Sequence, residues 1–350
     1  MPTGRIVIAL DGMGGDHAPA SVIGGIGIAL EKYPDADFQV YGDSLKLNAL
    51  IASHKLSASR ISVIHTPSAV AQDAKPAVAL RTGRDSSMRK AIDAVAEGKA
   101  SAVVSGGNTG ALMAMALFVL RPMPGIERPA LTSLLPSRKG DVVMLDLGAN
   151  VECDSDNLVQ FAIMGSAFAG AILGNRNPSV GLLNVGSEDT KGKDSLREAA
   201  RLMREAPQLP WRFHGFVEGN DITAGTVDVV VTDGFTGNVA LKTAEGVGKL
   251  YVDFLKKIFE GSSWLSKIGY LLAKPAFQTL KDRLDARRYN GAVFLGLQGI
   301  CVKSHGSMDA VGFANAIGVA HDLVKHGSNE TIKTQLAQMS ALFGSGLQEH

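Results

Sequence analysis

Cysteine is scarce in this chain. The 350 residues contain two, Cys153 and Cys301, at a separation that builds neither a disulfide framework nor a zinc-ligand spacing, which suggests a reducing compartment. Aromatic residues make up only 6%. Charge of one sign is also missing: 35 Lys and Arg stand against 34 Asp and Glu, a net charge of +1, whereas nucleic-acid binders carry a basic excess. No uninterrupted apolar run approaches the roughly 20 residues a membrane span needs. The N-terminus enters an apolar strand pattern with no signal or transit sequence, so a soluble cytoplasmic protein is expected. Two fingerprints fail as well. Counting from Gly12, the last slot of Gly-x-Gly-x-x-Gly falls on His17, and no Gly-x-Ser-x-Gly elbow occurs. The acidic residues show no metal-ligand spacing, so neither a cofactor nor an obligatory metal is expected.

Glycine is what the chain has in quantity, 40 residues of it. It concentrates first in Asp11-Gly12-Met13-Gly14-Gly15-Asp16-His17-Ala18-Pro19, behind the apolar run Ile6-Val7-Ile8-Ala9-Leu10. The run reads as a buried parallel strand, and residues 20–32 as a helix opened by proline. Strand, glycine loop and helix N-terminus together offer unpaired N–H groups to an anion, and phosphate is the natural guest. A tight turn capped by Asp11 and Asp16 fits the same spacing.

The alternation continues. Strand patterns at 38–42, 61–64 and 102–104 are separated by a short helix at 45–52 and one long helix at 76–97, which carries Arg81, Arg84, Arg89 and Lys90 on its polar positions. A mostly parallel sheet with helices on both faces follows. Further apolar strands end in Ser105-Gly106-Gly107-Asn108-Thr109-Gly110, in Asp146-Leu147-Gly148-Ala149-Asn150, in Gly186-Ser187-Glu188-Asp189-Thr190-Lys191-Gly192 and in Asp233-Gly234-Phe235-Thr236-Gly237-Asn238. In a parallel sheet such loops gather at the carboxyl ends of the strands, where ligands bind. Near the close, Cys301-Val302-Lys303 delivers Ser304-His305-Gly306 into a glycine turn, and two helices follow at 310–325 and 331–342. The chain reads as one α/β domain over residues 1–350, with a soft boundary between two lobes near 121–128.

Residues 250–288 differ in kind. Trp264, Leu265, Ile268, Leu271 and Leu272 recur at helical spacing, with Lys256, Lys257, Lys267 and Lys274 around them. A basic amphipathic segment of this sort suits a membrane surface; a helix pair packed at a subunit interface has the same pattern.

Taken together, these loops, with Glu218-Gly219-Asn220-Asp221 and Lys303-Ser304-His305-Gly306, resemble the bacterial phosphate acyltransferases, or acyl-ACP:phosphate transacylases. The match covers essentially the whole chain except the C-terminal tail. The resemblance implies a three-layer α/β/α fold similar to phosphate acetyltransferases and isocitrate-type dehydrogenases. It also implies a homodimer converting acyl-[acyl carrier protein] and inorganic phosphate to acyl phosphate and free carrier. The product would feed a membrane glycerol-3-phosphate acyltransferase in phospholipid synthesis, and residues 250–284 would attach the enzyme peripherally to the inner face of the cell membrane.

The chemistry is consistent with the residues. Phosphate is itself the nucleophile, so positioning and N–H donors matter more than an enzyme Ser or Cys. Lys191, Lys303, His305, His17 and Asp233 are the candidate catalytic residues. Asp11, Gly14, Gly15, Asp16, Ser105, Gly106, Gly107, Asn108, Thr109, Asn150, Ser187, Glu188, Asp189, Gly237 and Asn238 are the candidate substrate contacts. The same fold and loops would serve a phosphotransacylase using acyl-coenzyme A, and a non-catalytic membrane-docking scaffold is the non-enzyme alternative.

Overall fold

The computed structural model describes residues 4–205, 211–261 and 285–343. The chain runs β1 (Ile6–Asp11), α1 (Ala20–Lys32), β2 (Ala36–Gly42), α2 (Ser44–Ser53), β3 (Ile61–His65), α3 (Pro76–Thr82), α4 (Ser87–Ala96), β4 (Ala102–Ser105) and α5 (Thr109–Leu120). It continues with β5 (Ala130–Ser137), β6 (Gly140–Leu145), α6 (Ser155–Leu173), β7 (Ser179–Leu183), α7 (Asp194–Glu205), β8 (Arg212–Val217), α8 (Gly219–Ala224), β9 (Val229–Val231) and α9 (Gly234–Gly261). The chain then returns through β10 (Ala292–Leu295) and β11 (Ile300–Lys303) to α10 (Ala310–Lys325) and α11 (Ser328–Phe343).

All eleven strands form one sheet in the order β3-β2-β1-β4-β11-β10-β5-β6-β9-β7-β8. Side chains alternate across it, as a two-residue period requires. Ile8 and Leu10 enter the core on one face and Ala9 the core on the other; Val229 and Val231 divide from Val230 in the same way. The first core includes Phe161 and Phe168 of α6, both fully buried, and truncating either to Ala would cost about 3–5 kcal/mol. Helix α6 is long and apolar enough to cross a membrane by composition, but most of it is buried inside the protein. The result is the expected three-layer α/β/α arrangement.

Two expectations are corrected. Residues 76–97 do not form one helix. Gly83 ends α3, and Ser86 starts α4, its Oγ accepting the Arg89 N–H at 3.3 Å. Nor do the five loops leave the sheet in one direction. Strands β1, β4 and β11 run parallel, but β10 is antiparallel to both β11 and β5, and β5 is antiparallel to β6. Three reversals make β6, β9 and β7 run the opposite way, so the loops that follow them leave the sheet in the opposite direction. The apolar runs gave strand positions without strand directions, and β5 and β10, which set the directions, lack a distinctive loop. The apolar stripe Trp264, Leu265, Ile268, Leu271 and Leu272 lies outside the described residues. Upstream of it, α9 exposes Val247, Leu250, Tyr251 and Phe254 at helical spacing.

Candidate active site

At the carboxyl end of β1, β4 and β11 three loops meet backbone against backbone. A Cβ on Gly14 would lie 2.8 Å from the Gly107 amide nitrogen, and one on Gly106 would lie 2.7 Å from the Gly14 carbonyl oxygen. Only glycine allows that approach. Asp11, buried at the end of β1, ties the assembly together. Its carboxylate accepts Ser87 Oγ at 2.6 Å, Ser105 Oγ at 2.7 Å and the Met13 N–H at 3.3 Å. Burial raises its pKa, and these donors and Lys303 oppose the rise. Through these bonds Asp11 positions the loops around it. Ser87 is its partner from α4, and no sequence signal marked it.

Lys303, level with Ser105 in the sheet, is the buried cation of this cluster. Its ammonium donates to the carbonyls of Gly106, at 3.4 Å, and Ser304. A lysine has three N–H donors, so one is left over. Burial lowers its pKa from 10.5 to about 8, with Asp11 and Asp16 pulling it back up. His305 follows at once. Its main-chain N–H donates to Asn290 Oδ1 at 2.8 Å, and its Nδ1 lies 3.0 Å from Ser307 Oγ and 3.3 Å from the Ser307 nitrogen; in the tautomer in which Nδ1 accepts both, Nε2 carries the proton. Burial, then the Lys303 and Lys242 charges, lower its pKa. Lys242 belongs to α9, the helix that Asp233 caps.

Several candidate donors are already spent. Gly14 N–H bonds to the Asp11 carbonyl, Gly107 N–H to Ser105 Oγ, and Asp16 N–H to the Gly306 carbonyl. Among the described residues, the Gly15, Gly106 and Asn108 N–H groups have no acceptor. The Asn108 side chain caps α5 through the Ala111 N–H and donates to the carbonyls of Gln72 and Ala74. Thr109 begins α5 and is exposed, as are Asp16 and His17.

The remaining candidates lie on the loops that follow β6, β7 and β9. Asp146 is fully buried and accepts the N–H groups of Leu131, Gly148, Ala149 and Asn150, together with Asn150 Nδ2. Burial pushes its pKa up against those donors. Asn150 is held on its other side by the Pro129 carbonyl. Asp233 caps α9 through the Thr236 N–H at 2.7 Å and pairs with Lys193 at 3.0 Å. Burial opposes its ionisation, but Thr236 and Lys193 outweigh that and hold its pKa low. Gly237 packs on the Asp146 carbonyl, where any Cβ would collide, and Asn238 lies against Gly148. In the neighbouring loop Ser187, Glu188, Asp189 and Lys191 are all exposed, and Asp189 pairs with Arg204. Lys191 and Asp233 therefore sit on different loops from Lys303 and His305. Lys193, which the sequence reading passed over, is the lysine that meets Asp233.

Neither cysteine is poised as a nucleophile. Burial, with Asp146 and Asp233 nearby, pushes Cys153 up to about 12, and burial alone does the same to Cys301. No group of three or more metal-ligating side chains occurs among the described residues.

A family described as "Fatty acid synthesis protein" matches residues 6–331. A phosphate acyltransferase of Rhodospirillum centenum is 63% identical over 96% of this chain and 94% of its own length. One from Parvibaculum lavamentivorans is 55% identical over 97% and 94%. Among solved structures, a phosphotransacetylase from Streptococcus pyogenes superposes with a TM-score of 0.61 at 17% identity, covering 92% of this chain and 94% of that one. A 4-hydroxythreonine-4-phosphate dehydrogenase from Klebsiella pneumoniae gives 0.53 at 14% identity, over 92% and 98%. At such identities the likeness is one of fold.

Proposed function

The chain belongs to the phosphate acyltransferase family, enzymes of lipid synthesis, and from that premise we propose that it moves an acyl group from acyl-[acyl carrier protein] to inorganic phosphate. The observation that carries the reading is the buried Lys303 ammonium, with one unspent donor, beside the free N–H groups of Gly15 and Gly106. A phosphate dianion seated there meets a charge and two dipoles without having to reorganise them. A phosphate oxygen attacks the thioester carbonyl carbon, a C–O bond forms, the C–S bond breaks, and the electron pair leaves on the pantetheine sulfur. His305, neutral with its proton on Nε2, is suited to donate to a phosphate oxygen or to the departing thiolate. No acyl-enzyme intervenes in this scheme, and the high pKa of both thiols supports that.

In this reading the working partners are acyl carrier protein, a membrane glycerol-3-phosphate acyltransferase that consumes the product, and a second copy of the chain in a homodimer. The enzyme is cytoplasmic and docks on the membrane through Trp264, Leu265, Ile268, Leu271 and Leu272. Leu271→Glu should release it from anionic vesicles with soluble activity intact; dissociation of the dimer with vesicle binding unchanged would assign the stripe to packing instead. A second reading, a transacylase using acyl-coenzyme A, is supported by the fold shared with phosphotransacetylases. Supplying each thioester with phosphate separates the two: acyl phosphate from coenzyme A alone would overturn the carrier-protein reading.

A further inference from the structure

The segment between β3 and α4 is stitched to the loops proposed to hold phosphate. Asn108 Nδ2 donates to the Gln72 carbonyl at 2.6 Å, Pro76 packs on Gly110, and Ser87 N–H donates to the Ser68 carbonyl at 3.0 Å. Ser87 Oγ then reaches Asp11. The segment is thus a wall of the site on the β4 side.

Its charge is unbalanced. Residues 66–90 hold five cations, Lys75, Arg81, Arg84, Arg89 and Lys90, against two carboxylates, Asp73 and Asp85. Arg89 pairs with Asp93, and Lys90 pairs with Asp85. Lys75, Arg81 and Arg84 are exposed and meet no carboxylate among the described residues. Lys75, Val78 and Arg81 follow at three-residue steps, so they share one side of α3, and Val78 is itself exposed. Lys75 and Arg81 on either side of the exposed Val78, with Arg84 just beyond the helix end, form a surface complementary to an acidic one.

We infer that Lys75, Val78, Arg81 and Arg84 dock an acidic carrier protein, seating its surface on this wall so that its phosphopantetheine arm reaches the loops beside Lys303. The inference rests on the carrier-protein reading of the site. An acidic protein is favoured over a lipid surface because the segment that carries the cations is bonded to the loop after β4, through Asn108 to the Gln72 and Ala74 carbonyls and through Pro76 against Gly110, near where the thioester must arrive. Docking of this type acts mainly on encounter and is weakened by salt.

The test is the charge-reversed variant Lys75→Glu/Arg81→Glu/Arg84→Glu, assayed with acyl-carrier protein and, in parallel, with an acyl-pantetheine thioester that lacks the protein. The expected result is a rise in KM for the carrier substrate of about tenfold or more, and loss of its salt dependence. The KM for phosphate and turnover of the small thioester should stay at wild-type values. An unchanged carrier KM would overturn the docking surface while leaving the transacylase reading intact. An equal loss with the small thioester would also overturn it, by showing damage to the phosphate loops. Weakened binding to anionic vesicles with an unchanged carrier KM would reassign the cations to lipid. Wild-type protein inert toward the carrier but active on the small thioester would remove the carrier reading itself, so the two failures are distinguishable.

Discussion

Replacing Lys303 with Met should make the protein more stable and nearly inactive. The ammonium is buried at the end of β11, and its pKa of about 8 in place of 10.5 corresponds to a penalty of about 3 kcal/mol for keeping the charge in the fold near neutral pH, at about 1.4 kcal/mol per tenfold change in acidity. Met fills similar space without the charge. It strands the Gly106 and Ser304 carbonyls, at about 1 kcal/mol each, so the net gain is about 1–2 kcal/mol. The sign follows from the direction of the shift. A lysine depressed in the folded state destabilises below pH 8, and the effect disappears as pH rises toward 10.5. Calorimetry at pH 7 should therefore show Tm raised by about 1–3 °C, with the difference shrinking in alkali. The same variant loses a charge-assisted hydrogen bond to phosphate worth about 1.5–3 kcal/mol, a rise in phosphate KM of about tenfold to a hundredfold. In the wild type, phosphate KM should itself rise as pH passes 8. A variant that is less stable at pH 7 and keeps its phosphate KM would refute both the buried charge and its role.

Other expectations are equally specific. Gly14→Val should fail to fold correctly around the site, because its Cβ would meet Asp11 Oδ2 and the Gly107 backbone; Gly107→Ala meets chiefly the flexible end of Met88, so it should fold and report on phosphate KM, readable by circular dichroism and kinetics. Cys153→Ser and Cys301→Ala should keep wild-type turnover, and an acyl adduct trapped on either thiol by mass spectrometry would rule out direct attack by phosphate. Asp35 lies 3.0 Å from the buried His321 ring. Burial opposes the ionisation of Asp35, but His321, a main-chain N–H and Lys325 outweigh it and hold its pKa below 3.8. Its stabilisation is therefore present above that value and lost as pH falls through the folded one. Asp35→Asn should lower Tm at pH 7 and make no difference in strong acid.

Much of this architecture was legible in the chain. Apolar runs such as Ile6 to Leu10 and Ala102 to Val104 are strands because nothing but a doubly covered sheet can bury them, and the glycine loops after them do turn into helices. What could not be read was partnership. Nothing near Asp11 in sequence announces that Ser87 and Ser105 will donate to its oxygens. Lys191 stood out inside a dense polar motif, yet Lys193, two residues on, makes the ion pair with Asp233. The antiparallel passage through β10 and β5 depends on register between segments more than 150 residues apart, and local composition carries no trace of it.

The central claim is that a carrier-bound acyl thioester is attacked directly by inorganic phosphate held beside Lys303. The most direct measurement incubates pure enzyme with acyl-carrier protein and 18O-labelled inorganic phosphate, and follows acyl phosphate and free carrier thiol together. The account predicts equal amounts of both, dependent on phosphate, with one labelled oxygen in the bond to the acyl carbon. Thiol release without phosphate, or acyl phosphate formed only after the protein itself has been acylated, would contradict it.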